Sequence, residues 1–249
     1  MKSAEDPGSG KNCTRAEDPG RGENCARAED PGSGENYVFA KDPGTGLEGR
    51  MFVIGVTGGV GSGKSIVLSY LEKRWGAVTI RLDDLGRELM MPDGSCYQPV
   101  KKLFGERFVK KDGTFDRAAI ARAVFADETF RTGLDGIIHP AVKNEALKRI
   151  SFYAKEGCRL FVIEAALLIE NHYDAICDEM WYIYAGEDTR RQRLAKNRGY
   201  DSARIEQTMK AQLSENEFRS RCDFIIDNDG DFENVKSVID QRLMGIKLK

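Results

Sequence analysis

The sequence predicts an α/β fold, built as a five-stranded parallel sheet covered by helices. Three observations carry that expectation. Five short runs rich in β-branched and aromatic residues, at 52–56, 77–82, 159–163, 180–184 and 223–230, alternate with segments of helical character. The third run, Arg-Leu-Phe-Val-Ile, is continuously apolar after its first residue, as a strand covered on both faces should be. The first run feeds straight into a glycine-rich turn that opens an amphipathic segment at 66–75.

Composition bounds what the chain can do. It has 249 residues, with 38 basic and 40 acidic side chains and a net charge of −2. No whole-chain field is available to attract nucleic acid or acidic membranes. No apolar run approaches the ~18–20 residues needed to span a bilayer, and the first residues carry no apolar signal core. The six cysteines are scattered without a C-x-x-C pair, which fits reduced thiols in a cytosol better than zinc or disulfides. The expected setting is the cytoplasm. The expected partner is a small molecule, with no nucleic acid and no membrane, and the chain is expected as a monomer or weak oligomer.

Residues 1–50 form a leading segment apart from the rest. Ala-Glu-Asp-Pro-Gly-Ser-Gly at 4–10 returns at 16–22, 28–34 and 40–46 with small changes, a period of twelve. Large apolar residues are nearly absent before Tyr37, so the segment cannot bury enough surface to offset chain entropy and is expected to be disordered. It reads as a passive extension, translated from upstream of a start at Met51, or as a partner-binding tail.

After the first strand, residues 58–65 fit G-x-x-x-x-G-K-[ST]. Glycines let backbone N–H groups converge on an anion without a Cβ in the way, and the helix start adds its own free N–H groups and partial positive charge. Lys64 is placed to bridge terminal phosphates and the Ser65 hydroxyl to ligate Mg²⁺. The second strand ends in Asp83-Asp84, followed by a helix expected at 85–91. Asp83 reads either as a catalytic carboxylate, lying beyond a strand's carboxyl end where ligands bind in open parallel sheets, or as that helix's N-cap. Arg87, one turn on, reads as a phosphate ligand or as the surface partner of an aspartate.

Residues 95–156 read mostly as helices. Asp116 is expected to cap a helix with Ile120, Ala121, Val124 and Phe125 as its apolar stripe. Pro140 suits a first helical turn, which would put His139 at the cap. The third strand ends in Glu164, which reads as a carboxylate acting through a metal-bound water or as a lining carboxylate. The basic segment 189–200 reads as a mobile lid helix neutralising phosphate, or as a solvated charged helix. A further helix at 202–213 and a closing helix at 232–243, with Val235, Val238, Ile239 and Leu243 inward, complete the chain. Together these elements describe a P-loop NTPase/kinase fold in residues 51–249, with a helical substrate lobe at about 84–156 and a lid at about 188–214.

At this point the residues resemble one family, dephospho-CoA kinase. Residues 55–65, Gly-Val-Thr-Gly-Gly-Val-Gly-Ser-Gly-Lys-Ser, look like its opening. Asp83 with Arg87 matches the end of its D-A-D-x-x-A-R stretch, His139-Pro140 its His-Pro, and residues 164–170 its D-x-P-L-L-F-E. Arg193-Leu194, Gln212 and residues 223–228 match its lid and tail. Four positions depart. Arg81 stands where the family has its first aspartate, leaving Asp83 to act as base alone. Glu164 replaces an aspartate and Ala166 a proline, and Arg198 lies one residue later than the usual lid arginine.

The resemblance implies ATP-dependent phosphorylation of the ribose 3′-hydroxyl of dephospho-CoA, the last step of coenzyme A synthesis. It implies that Gly58, Gly59, Val60, Gly61, Ser62, Gly63, Lys64 and Ser65, with Arg190, Arg198 and Asn228, hold ATP. Ser65 and Glu164 would hold Mg²⁺. Asp83, Lys64 and Arg193 would be catalytic, and Asp83, Arg87, His139 and Leu167 would meet the acceptor. A nucleoside or nucleotide kinase on the same core, and a regulatory nucleotide-binding module, stand as alternatives.

Overall fold

The computed structural model describes residues 50–246. The repeat-bearing extension and its expected disorder lie outside the described residues. The five expected strands form: β1 (Phe52–Thr57), β2 (Val78–Arg81), β3 (Leu160–Glu164), β4 (Glu179–Tyr184) and β5 (Phe224–Asp227). All four pairings are parallel, in the order β2-β3-β1-β4-β5. From β1 the chain runs outward past β3 to β2, returns to β3, then crosses β1 to β4. The connections leaving β1 and β3 therefore go opposite ways, which opens a crevice beyond the carboxyl ends of those two strands.

The sheet separates two apolar layers. On one face Ile54, Val56, Leu160, Val162 and Trp181 pack against α1 (Lys64–Trp75) and α9 (Phe232–Gly245). On the other, Val53, Phe161, Ile163 and Tyr182 meet the helical lobe. Each large side chain buried in this way contributes about 1.5–3 kcal/mol. The lobe comprises α2 (Leu82–Leu89), α3 (Tyr97–Phe104), α4 (Arg117–Ala126) and α5 (Glu128–Lys155). Between β4 and β5 come α6 (Glu187–Arg198), α7 (Ser202–Lys210) and α8 (Glu215–Arg221).

Several expectations need correction. Helix α2 starts three residues earlier than expected, at Leu82, with Arg81 at its N-cap position. Asp83 is therefore not the cap. It lies in the first turn, where a carboxylate suits the positive helix end, while Leu82, Leu85, Gly86 and Leu89 form the buried face. Helix α5 runs through Pro140 without a break, so His139 is mid-helix and caps nothing. Burial of Val142, Ala146 and Ile150 beyond the proline outweighs the one backbone hydrogen bond it forfeits. Asp116 does cap α4, accepting from the Ala119 amide at 3.0 Å. Of its expected stripe, however, only Ile120 is buried and Val124 half-buried, whereas Ala121 and Phe125 are exposed. In α9, Val238 points outward while Val235, Ile239 and Leu243 are buried. Helix α7 stops at Lys210, and α8 is an element the periodicity did not announce.

Candidate active site

The turn after β1 adopts backbone conformations that glycine tolerates. Gly58, Gly61 and Gly63 have φ of 144°, 86° and 95°. The amides of Gly61, Gly63, Lys64 and Ser65 donate to nothing among the described residues. They are the free N–H groups of a helix start, aimed where an anion would sit. The Lys64 ammonium donates to the Gly58 carbonyl at 2.8 Å and stands 3.7 Å from Glu164 Oε1, an ion pair too long for a hydrogen bond. Burial pushes the Lys64 ammonium below its ordinary value of 10.5, and Glu164 opposes that shift while Arg198 adds to it. Burial also raises the Glu164 carboxyl above 4.5, with Lys64 pulling it back.

The loop is held from behind by the chain between β4 and α9. Asn228 donates from Nδ2 to the Ser62 carbonyl at 2.7 Å. Arg193 donates to the same carbonyl at 3.2 Å and to the Asn228 carbonyl at 2.9 Å. Arg190 donates from Nε to the Val60 carbonyl at 3.1 Å and from Nη2 to Gln212 Oε1 at 2.5 Å, and Gln212 Oε1 also accepts the Val60 amide at 3.2 Å. Helix α6 is thus fastened to the loop along its first two turns. Among the described residues, the hydroxyls of Thr57 and Ser62 are buried without a partner.

Two cavities meet in front of the loop. The first, of about 420 Å³, is bounded by Gly61, Gly63, Lys64, Ser65 and Val60 on one side and by Glu164, Ala166, Arg81 and Asp84 on another. Helix α6 closes it with Arg193, Leu194, Asn197 and Arg198. The second, of about 600 Å³, lies between α2, α5 and the turn after β3, with His139, Lys143, Leu167, Asn171 and Tyr173 in its wall. Asp83 and Arg87 line both. Arg87 also pairs with Asp84 at 2.5 Å, the surface pairing that was one of its two expected roles. His139 Nδ1 lies 2.8 Å from Asn171 Oδ1, and its Nε2 3.6 Å from Asp135.

Most of the residues singled out in the sequence therefore gather at one place. Gly58, Gly59, Ser62, Arg190 and Asn228 do not line the first cavity but form or brace the loop's back. Sequence reasoning missed Arg81 as a cavity-lining cation, together with Asn197, Lys143, Asn171 and Arg117. Lys143 and Asn197 had a local signal, lying four residues after His139 and Arg193 respectively on the same helix face.

These groups fit a nucleotide polyphosphate with a divalent cation. The unpaired amides and the lysine suit phosphate, and the Ser65 hydroxyl and Glu164 carboxylate suit a hard cation. No group of three His, Cys, Asp or Glu residues forms a metal cage among the described residues. That is compatible with magnesium, which keeps several waters and binds through one or two carboxylates and substrate phosphates.

Comparisons with known proteins point the same way. The profile of the family described as Dephospho-CoA kinase matches residues 52–234. A Dephospho-CoA kinase of Geobacter sulfurreducens is 37% identical over 191 residues, covering 77% of this chain and 96% of that protein. One of Symbiobacterium thermophilum is 34% identical over 190 residues, covering 76% of this chain and 79% of the relative. Among solved structures, TT1252 from Thermus thermophilus aligns with a TM-score of 0.68 at 27% identity, over 79% of this chain and 98% of the other. The Dephospho-CoA kinase from Campylobacter jejuni, at 19% identity and a TM-score of 0.59 over 78% and 96%, shares the fold.

Proposed function

The chain belongs to the dephospho-CoA kinase family, and from that premise we propose how its site divides the reaction. The chain is a kinase that phosphorylates dephospho-CoA with ATP in coenzyme A synthesis. The acceptor atom is read as the ribose 3′-hydroxyl. One observation carries the assignment of roles: Asp83 is a wall of both cavities, so it stands where a donor phosphate and an acceptor hydroxyl would meet.

ATP phosphates would lie against the amides of Gly61, Gly63, Lys64 and Ser65. Lys64, Arg193 and Arg198 would offset their charge, and Gly58, Gly59, Val60, Ser62, Arg190 and Asn228 would keep the loop in shape. Ser65 and Glu164 would hold Mg²⁺, Glu164 through water, and the cation would supply neutralisation of charge shared between phosphates. Asp83 would orient the acceptor hydroxyl and take its proton. Arg87, His139 and Leu167 would seat the acceptor, with Asn171 fixing the His139 ring. Positioning and charge neutralisation supply most of the acceleration in such transfers.

Residues 1–50 are proposed as a dispensable extension to the 51–249 catalytic unit, with the substrate lobe at about 84–156 and the lid at about 188–214. The near-balanced charge supports an enzyme without nucleic-acid or membrane partners, acting in the cytoplasm as a monomer or weak oligomer. Among the described residues, no helix is long and apolar enough to cross a membrane. A coupled ADP-release assay with ATP and Mg²⁺ tests the reading. Turnover of dephospho-CoA is expected, and preference for a nucleoside or nucleotide acceptor would contradict it.

A further inference from the structure

The phosphate cavity holds one cation to which the division of roles above gives no task. Arg81 is the last residue of β2 and Glu164 the last of β3, and the two are partners in the parallel ladder. Because β3 lies between β2 and β1, Glu164 stands between Arg81 on one side and the phosphate loop that follows β1 on the other. Arg81 lines the phosphate cavity but not the acceptor cavity. It is exposed and makes no hydrogen bond or ion pair among the described residues. Three other cations of that wall are committed: Lys64 to the Gly58 carbonyl, Arg87 to Asp84, and Arg193 to the carbonyls of Ser62 and Asn228. The charge of Arg81 does reach the site, since burial raises the Glu164 carboxyl while Lys64 and Arg81 both pull it back. Five cations and three carboxylates line the cavity. An aspartate at 81, the residue that stands there in the motif this stretch resembles, would leave four of each. Arginine at this position therefore turns a balanced wall into a net positive one.

We propose that Arg81 is a further ligand for the terminal phosphate of ATP, gripping it from the β2 side while Lys64 holds it from the loop side. This rests on the reading of the cavity as the ATP site. A guanidinium suits the task, being always charged, weakly hydrated and shaped as a planar fork that matches two phosphate oxygens. Asp83 is only two residues on, so the contact falls on the acceptor's side of the cavity. During transfer the bond from the terminal phosphorus to the ADP oxygen breaks. The bond to the ribose oxygen forms, and the hydroxyl proton passes to Asp83. The charge on the peripheral oxygens of the moving phosphoryl group stays within reach of Arg81 throughout. The contact is to the terminal phosphate alone. Arg81 thus adds affinity for the nucleotide that reacts and none for the one that must leave.

Equilibrium titrations of a nonhydrolysable ATP analogue and of ADP, each with Mg²⁺, onto wild type and Arg81→Gln test this. The analogue should bind the variant roughly tenfold more weakly, the loss of about one charge-assisted hydrogen bond. ADP affinity should stay within about twofold, which also reports that the variant's site is intact. A guanidinium acting only through its field would weaken both nucleotides, because both are polyanions. Comparable weakening of the analogue and ADP, or no weakening of either, would therefore overturn the proposal. Wild-type turnover of dephospho-CoA is measured in parallel. Its absence would defeat the assignment of the reaction, and a wild type that binds neither nucleotide would defeat the reading of the cavity. Turnover and binding by wild type, with the preference for the analogue over ADP unchanged in Arg81→Gln, would defeat the role of Arg81 alone.

Discussion

Gly63→Ala is the substitution whose consequence the structure defines most closely. Gly63 sits at φ 95° as the residue before α1. A Cβ there would fall on the Asn228 side-chain amide, with Arg193 Nη1 next at 3.5 Å. Left-handed backbone at a residue with a Cβ costs roughly 1–2 kcal/mol. Displacing Asn228 breaks its 2.7 Å bond to the Ser62 carbonyl, in a residue only 4% exposed. Losing such a buried bond costs about 1–3 kcal/mol, and the Arg193 donor that stays on that carbonyl favours the lower half of the range. Gly63→Ala should therefore cost about 2–4 kcal/mol of unfolding free energy in urea melts. The argument also fixes a coupling. With Asn228→Ala in place the obstacle is gone, so Gly63→Ala should then cost only the backbone share, roughly 1–2 kcal/mol. Strict additivity of the two substitutions, or a Gly63→Ala cost below about 1 kcal/mol, would refute this account of how the loop is held.

Other outcomes follow from the same geometry. Arg190→Ala strips two hydrogen bonds from the back of the loop and should lower stability by about 1.5–3 kcal/mol. Arg198→Ala, on the exposed lip of the phosphate cavity, should leave stability within about 0.5 kcal/mol while weakening ATP binding. Paired urea melts and ATP titrations distinguish the two, and a reversed pattern would mean the lid has been misread. Burial raises the folded-state pKa of Glu164 above 4.5, so the folded chain holds that proton more tightly than the unfolded chain. Its stability relative to Glu164→Gln should be greatest below about pH 4.5 and fall as pH rises through the folded-state value. Parallel stability curves for the two proteins would contradict that. Deleting residues 1–50 should leave kcat and the KM for ATP within about twofold, and a large loss in either would overturn the passive reading of the extension.

What could be read from the sequence follows the range of the forces involved. The strands and the phosphate loop are set by neighbours within a few residues. Phe52 to Ser65 announces a strand, a glycine turn and a helix start without help from the rest of the chain. The bracing of that loop was not legible, because Arg190 and Val60 lie 130 residues apart and nothing in either segment names the other. The acceptor wall is the same case: Arg117, Lys143 and Asn171 come from three separate elements. At Pro140 a sound local rule lost to tertiary packing, since the apolar face beyond the proline keeps α5 whole. Helix α8 is different, for its signal was present. Ser214 and Glu217 form a reciprocal capping box, a pattern visible three residues apart in the sequence. The helix it opens has Phe218 as its single buried residue, too short a stripe for periodicity to register.

The account turns on Asp83 standing between donor and acceptor without anchoring either. Asp83→Asn keeps the shape of the side chain and removes its capacity to take a proton. The decisive measurement pairs turnover with equilibrium binding of both substrates to that variant. We predict affinities for ATP and dephospho-CoA within about threefold of wild type and a turnover reduced by roughly 10²–10⁴, the range for removing a positioned general base. Turnover within tenfold of wild type would contradict the account, as would loss of binding for either substrate in proportion to the loss of rate.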